Sequence, residues 1–339
     1  MAAATRLLTA AALAMGLLAP ASIPAAGAAA HSSPPDPGRI GIWLMDAPVV
    51  RRDDARALLY IVDHLRPGTA IKRHVEISNK TPVSRKFELY SSAAVIRDNT
   101  FTFAPGYTRN ELSSWTSIAP ARTSLAPHTT IPAEVTIHVP NDATAGERYA
   151  VIWAQTSAAP DATHNVGSVN RVGVRIYLSV GKGGEPPSAF TINALTAVRT
   201  KQGRPSVVAR VRNTGGRAVD LKGTLYLTDG PGGSMAGPFR ANPGTTLPPG
   251  RTGTVVVDLD PRLPDGPWKA RLKLESGKVN REVTARLTFP PPGGTSIAEL
   301  IHMPGARMWY ALGGGVLVLG TAGWLVFARR RRSRQNPVV

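Results

Sequence analysis

Between Arg39 and Val180 the apolar residues fall in short alternating or β-rich runs: Ile40–Leu44, Leu58–Val62, Ile71–Ile77, Phe87–Tyr90, Glu134–Val139, Tyr149–Ala154 and Val172–Val180. A two-residue period sends one set of side chains to one face of a strand and the other set to solvent. The runs are divided by turn formers such as Pro67-Gly68, Asn79-Lys80-Thr81-Pro82 and Asn141-Asp142. No stretch longer than a turn or two keeps a 3.6-residue period. A second series follows from Ala189 to Pro290, with strands predicted at Thr191–Val198, Ser206–Arg212, Asp220–Leu227, Thr254–Leu259, Lys269–Glu275 and Glu282–Phe289. Short strands at this spacing predict an all-β chain of two sandwiches. Residues 182–188 read as the linker between them, since Gly183-Gly184 frees the chain and Pro186-Pro187 stiffens it.

The two β regions share a phrase. Leu125-x-Pro127, Val135-x-Ile137-x-Val139-Pro140 and Gly146-x-x-Tyr149-Ala150-Val151-Ile152 form one copy. Leu247-Pro248-Pro249, Val255-x-Val257-x-Leu259-x-Pro261 and Gly266-x-Trp268-x-Ala270-x-Leu272 form the other. An alternating strand ending in a turn asparagine also occurs twice, as Val75-x-Ile77-x-Asn79 and Val211-x-Asn213-x-Gly215. Each phrase is a pair of neighbouring strands joined by a Pro/Gly turn. The fold expected is therefore two tandem immunoglobulin-like β-sandwich domains, at residues 39–181 and 189–290.

Two apolar runs break the alternation. Arg6, the stretch Leu7–Leu18 and the small residues ending at Ala30 have the layout of a cleaved signal peptide over residues 1–30. Trp309–Ala328 is uninterrupted and apolar. At ~1.5 Å per residue such a helix is about as long as a bilayer core is thick. Arg329, Arg330, Arg331, Arg332 and Arg334 follow it. By the positive-inside rule they place the tail 329–339 in the cytoplasm and everything before the span outside the plasma membrane. Pro290-Pro291-Pro292-Gly293-Gly294 opens a stalk, residues 291–308, reaching about 60 Å even as extended polyproline. The sequence before the span, His302-Met303-Pro304-Gly305, lacks the Thr-Gly pair of a sortase site, so the helix itself is the expected anchor.

Composition narrows the chemistry. The chain has no cysteine, which excludes thiol catalysis and cysteine metal sites, and its sandwiches must hold by burial alone. Forty Lys+Arg stand against 22 Asp+Glu, a formal net charge of +18 that stays strongly positive without the tail and signal. Such a field draws the protein to anionic surfaces. Outside a Gram-positive cell these are wall and lipid-linked polymers. The basic residues are too dispersed to point to nucleic acid. No two of the seven histidines have metal-ligand spacing. Ser179-x-x-Lys182 ends a strand where the penicillin-recognising motif would open a helix. Asp258-x-Asp260 followed by Arg262 fails the calcium-loop order. No catalytic group, cofactor or metal site is expected. The candidate binding cluster is Phe101, Phe103, Tyr107, Arg109 and Trp115, rings and a guanidinium suited to sugar faces and acidic peptide stems. On an exposed loop these rings could meet a ligand; the reading favoured over that is an ordinary edge hairpin of Phe101 and Phe103 with Trp115 in the core.

Leu65-x-Pro67-Gly68, the strand ending Ser78-Asn79, Phe87-x-Leu89-Tyr90, Trp115, Val139-Pro140, Gly146 and Tyr149-Ala150-x-Ile152 resemble the N-terminal peptidoglycan-binding domain of the WxL-interacting proteins, surface proteins of Gram-positive bacteria. The resemblance covers residues 39–181 and extends to the layout of signal, two modules, span and basic tail. It implies a non-catalytic, membrane-anchored protein whose first domain binds peptidoglycan or an anionic wall polymer. The rival expectation is an accessory or chaperone-type subunit that binds another exported protein by strand-edge contacts.

Overall fold

A computed structural model describes residues 39–158, 167–200 and 202–291. The expected signal peptide, membrane helix and arginine tail, and the stalk from residue 292, lie outside these residues. No helix among the described residues is long and apolar enough to cross a membrane.

The first module contains β1 (Ile40–Leu44), β2 (Ile61–Leu65), β3 (Ala70–Asn79), β4 (Arg85–Arg97) and β5 (Thr100–Phe103). A one-turn helix, α1 (Glu111–Ser114), precedes β6 (Thr116–Ala119), β7 (Arg122–Leu125), β8 (Thr129–His138), β9 (Gly146–Ala158) and β10 (Ser168–Val180). One sheet has the order β1-β3-β8-β6; the other runs β2-β10-β9-β4, with β5 and β7 sharing the far side of β4. Every pairing is antiparallel except β2 with β10. Alternation builds the core directly: Ala133, Val135 and Ile137 of β8 face Ile152 of β9, Ile176 of β10 and Leu89 of β4 in one buried cluster.

The second module contains β11 (Phe190–Arg199), β12 (Pro205–Asn213), β13 (Val219–Asp220), β14 (Lys222–Thr228), β15 (Ala236–Arg240), β16 (Thr246–Leu247), β17 (Thr252–Asp258), β18 (Trp268–Ser276) and β19 (Val279–Leu287). Sheets β11-β12-β17 and β15-β14-β18-β19 enclose a core centred on Trp268, Phe190, Leu225 and Leu272, with the two-stranded pair β13-β16 beside them. The chain is thus all-β, with two immunoglobulin-like sandwiches.

The repeated asparagines do the same work in both modules. Asn79, fully buried, donates from Nδ2 to the carbonyls of Val83, Leu125 and Ala126, and its Oδ1 accepts from the Thr81 N–H. Asn213, equally buried, donates to Arg217 and Leu247, and accepts from the Gly215 N–H. Each satisfies the carbonyls of a turn and pins it to the leucine that opens the shared phrase.

Three of the departures from the sequence expectation fall in the first half of the first module. The run at Leu58–Val62 becomes strand only from Ile61, because Asp54 Oδ1 accepts from the Arg56 N–H and Asp54 C=O from the Leu58 N–H, which turns the chain first. The run at Phe87–Tyr90 is the middle of a 13-residue β4. Residues 100–103 are strand β5, because Asp98 and Asn99, both at positive φ, fold the chain back so that Phe101 opposes Ile96.

That hairpin reaches the second module. Its tip accepts the Thr246 N–H at the Asn99 carbonyl (2.7 Å), and Thr100 forms an antiparallel bridge with Thr245. Beside it lies a buried polar interface. Arg56 Nε donates to Asp220 Oδ2 (2.7 Å) and its NH1 to the Ala218 carbonyl (2.8 Å). The Tyr177 and Thr246 hydroxyls donate to Asp220 Oδ1. Burial works against the Arg56 charge, yet Asp220, Tyr177 and Glu147 hold its pKa above the ordinary arginine value. The linker is docked as well: Glu185 pairs with Arg51 and Arg217, and the Gly183 carbonyl meets His64 Nε2 at 3.0 Å.

Candidate functional site: an aromatic face ending in a groove

Odd-numbered residues of β4 such as Phe87 and Leu89 enter the core, so the even-numbered ones face outward. Tyr90 stands opposite Trp153 of β9, and Tyr149 of β9 opposite Tyr177 of β10. Tyr60, Phe101, Phe103, Tyr149, Trp153 and Tyr177 form a connected cluster of six rings, and Tyr90 and Tyr107 form a separate stacked pair on the same face. Successive contacts run Tyr60–Tyr177–Phe101–Phe103–Trp153, with centroids 4.9–5.7 Å apart in the tilted and edge-on geometries that ring quadrupoles favour. Arg175 lies over Tyr60 and Phe101, and Arg171 over Trp153 at 4.5 Å.

The face has two different ends. At one end Phe101, Tyr177 and Val62 pack against Ala218 of the second module. At the other, Tyr90 and Tyr107 stack at 4.2 Å beside an open groove of about 600 Å³. Glu88, Leu89, Tyr90 and Ser91 of β4 form one wall; Thr116, Ser117 and Ile118 of β6 form the other, with Tyr107, Arg109 and Arg122 around the rim. The groove exists because β7 pairs with β4 only over Arg85–Glu88 and β5 only over Ala94–Arg97; between them loops bond Leu89 (its N–H to the Ala121 carbonyl) and Ala93 (its N–H to the Thr108 carbonyl), and the gap centres on Ser91. Across from it β6 has a single neighbour, β8, and turns its other edge toward the groove.

Ser91 is buried, and its Oγ finds no hydrogen-bond partner. A hydroxyl left so in a core strand costs about 1–3 kcal/mol. At the rim the Tyr107 hydroxyl donates to Glu88 Oε2 (2.6 Å) and Arg122 NH2 to Oε1 (3.2 Å). The bond from Tyr107, aided by Arg122, holds the Glu88 carboxyl below the usual range, and the same bond pushes the Tyr107 hydroxyl up. Glu88 is therefore a fixed anion flanked by a guanidinium, and Arg109 supplies a second cation.

The five residues of the sequence-derived cluster divide. Tyr107, half exposed, and Arg109 line the groove. Phe103 is partly exposed on the aromatic face. Phe101 is only 4% exposed, which corrects the loop reading: it is a strand residue packed against the second module, closed to ligand. Trp115 is the C-cap of α1, packs on the core and carries Arg148 over its ring at 4.9 Å. Glu88, Tyr90, Ser91 and Arg122 were missed. Tyr90 carried the available signal, a large ring at the outward position of a strand whose alternate residues are core.

Ser179 and Lys182 do not meet as a catalytic pair. The Ser179 hydroxyl lies 2.9 Å from His64 Nδ1 and is buried at the end of β10, where the contact fastens β10 to β2. Among the described residues no group of three or more metal-ligating side chains comes together.

No family model matches the chain, and no curated protein matches its sequence. Solved structures similar to it include the YadV chaperone (10% identity, 73% of this chain and 99% of that one, TM-score 0.38). Others are the SafB chaperone complex with SafA pilin from Salmonella enterica (8%, 73% and 97%, TM-score 0.40) and the CupB2 chaperone of Pseudomonas aeruginosa (12%, 67% and 97%, TM-score 0.36). Likeness at this level carries no argument about binding.

Proposed function

We propose that the protein is a non-catalytic accessory subunit that holds an extended segment of another exported protein in the groove between β4 and β6. The observation that carries this reading is the free edge of β6 facing, across one groove, the short stretch of β4 around Ser91 that neither β5 nor β7 pairs. An extended peptide supplies the N–H and C=O groups that the β6 edge lacks, and side-chain pockets then select its sequence. The Tyr90–Tyr107 stack receives a flat apolar side chain, Arg109 and Arg122 an acidic one, and Ser91 Oγ gains a partner. The location outside the membrane rests on the sequence alone, on residues 1–30 and 309–328 and the arginines after them.

A photo-crosslinking residue at Ser117 of β6 tests the reading in intact cells. A defined protein adduct is expected at Ser117 and none at Thr284 on the second module. Tyr107→Ala and the Arg109→Ala/Arg122→Ala pair should each reduce the adduct about tenfold. Ser91→Ala should weaken capture while leaving stability unchanged or raised by about 1 kcal/mol, because it removes an unsatisfied hydroxyl. Absence of any protein adduct would sink the proposal.

The Tyr90–Tyr107 stack favours one second reading, a wall saccharide lying on the rings. Co-sedimentation with peptidoglycan sacculi that is abolished by Tyr107→Ala, without a protein adduct at Ser117, would select it.

A further inference from the structure

The outer face of the β15-β14-β18-β19 sheet is cationic in an ordered way. Along β18 the inward residues are Trp268, Ala270, Leu272 and Leu274, so Lys269, Arg271 and Lys273 all point outward. At two residues per repeat they stand about 7 Å apart on a straight line. Register adds Arg286 of β19 beside Lys269, and Arg240 of β15 beyond Thr224, which opposes Lys273. Lys222 also faces this way, opposite Glu275. Two nearby carboxylates, Glu275 at the end of the row and Glu282 opposite Lys273, lie toward the Gly277 turn, and Asp229 lies beside Lys269 at the other end. Pairing is slight: Arg271 reaches Glu282 at 3.7 Å and Lys269 reaches Asp229 at 3.9 Å. Among the described residues Lys222, Arg240, Lys273 and Arg286 have no carboxylate within ion-pair distance. A second groove, of about 640 Å³, runs over Lys222, Thr224, Tyr226, Arg240 and Lys273, and Arg271 stacks over the exposed Tyr226 ring at 5.0 Å.

We propose that this face is a track for a linear phosphodiester polyanion, laid along β18 with its charges on Lys269, Arg271 and Lys273 and flanked by Arg240 and Arg286. The charges form a row, and a row suits a chain better than it suits a plane. A surface that docks on a bilayer couples its basic residues to bulky apolar ones that enter the headgroup layer. Among the described residues Tyr226 is the one exposed ring on the face, and Arg271 covers it. Like-charged side chains at this spacing repel one another when free, and a polymer of opposite charge relieves that repulsion as it releases its own counterions.

The test is binding of the full-length chain, held in neutral-detergent micelles, to immobilised poly(glycerol phosphate) over a salt series. The wild-type protein should bind with an affinity that falls steeply as salt rises. The exposed triple substitution Lys269→Glu/Arg271→Glu/Lys273→Glu should lower affinity at least tenfold and flatten the log–log salt slope by about 2, as three lost phosphate contacts require. Its melting temperature should stay unchanged, since none of the three side chains enters the core. Tyr107→Ala, in the groove of the first module, should leave polymer binding intact. Wild-type binding no tighter than to neutral dextran would overturn the proposal, as would full binding by the triple variant. Binding to phosphatidylglycerol vesicles without binding to the polymer would replace the track by a membrane contact.

Discussion

Glu147 opens β9 under the second module and accepts hydrogen bonds from the Tyr149 hydroxyl and the Ala218 N–H, each at 2.7 Å. Burial raises its pKa to about 6; the two bonds and Arg56 restrain the rise, and Asp220 adds to it. The folded protein therefore holds this proton more tightly than the unfolded chain, where a glutamate titrates near ~4.3. The stabilisation is complete below about pH 4.5 and disappears as pH climbs through 6, a change of about 2 kcal/mol. Glu147→Gln keeps an acceptor for both donors and should flatten the dependence of Tm on pH across that window. An unaltered slope would assign the effect elsewhere. The repeated asparagines make a second residue-scale case. Asn79→Ala removes the side-chain donor of the Leu125 and Ala126 carbonyls, Val83 keeping the Thr81 hydroxyl, and Asn213→Ala removes that of two carbonyls, so each should cost about 3 kcal/mol. Denaturant midpoints at constant m check this, and a loss below about 1 kcal/mol would mean that water replaces the amide.

Among the elements, what was legible in the sequence tracks length and alternation. β8 and β18 are long and bury every second residue over Ala133–His138 and Trp268–Ser276, so their faces could be read before their neighbours were known. β5, β6, β7, β15 and β16 have five residues or fewer and are held by partners distant in sequence, which no local pattern announces. The groove belongs to this second group. It arises from where β5 and β7 stop along β4, a fact of pairing and not of composition, and so only Tyr107 and Arg109 were found beforehand. The β4–β5 hairpin shows how far such pairing reaches. Its tip lies so close to β17 that a Cβ added to Gly253 would stand 2.7 Å from Asn99 Cγ and 2.5 Å from Leu247 Cδ2. Gly253→Ala must therefore push the tip off the second module or displace a core leucine, and about 2 kcal/mol should be lost. Hydrogen exchange should show faster opening at Asn99–Thr245 if the tip yields. Wild-type stability and protection would show that the contact is slack.

At the scale of the whole molecule the question is whether two sandwiches, each with its own core, behave as one body. Each contact between them is modest by itself, but Asp220 gathers several of them. Its carboxylate takes Arg56, Tyr177 and Thr246 at once, while its N–H donates to Ser276. Arg56 is 4% exposed, so removing its counterion strands a buried charge. Such a loss is worth about 3–5 kcal/mol, far more than the intact pair contributes over an apolar equivalent. Across the same boundary Gly277, at φ +58°, turns the β18–β19 hairpin so tightly against Asp54 that a side chain there has no room, and Lys278 pairs with Asp53. The groove of the first module and the cationic track of the second are then carried at a fixed angle. A partner segment and a polyanion would be held in a set relation, which two freely hinged modules could not provide. Asp220→Ala tests the coupling. The wild-type body should melt in one calorimetric transition, and the variant in two, with the first module retaining its own midpoint and the linker becoming open to protease near Gly183. A single transition, shifted as a whole, would mean that the docked hairpin and the Glu185 pairs suffice, and that the Arg56–Asp220 contact adds stability without being what joins the modules.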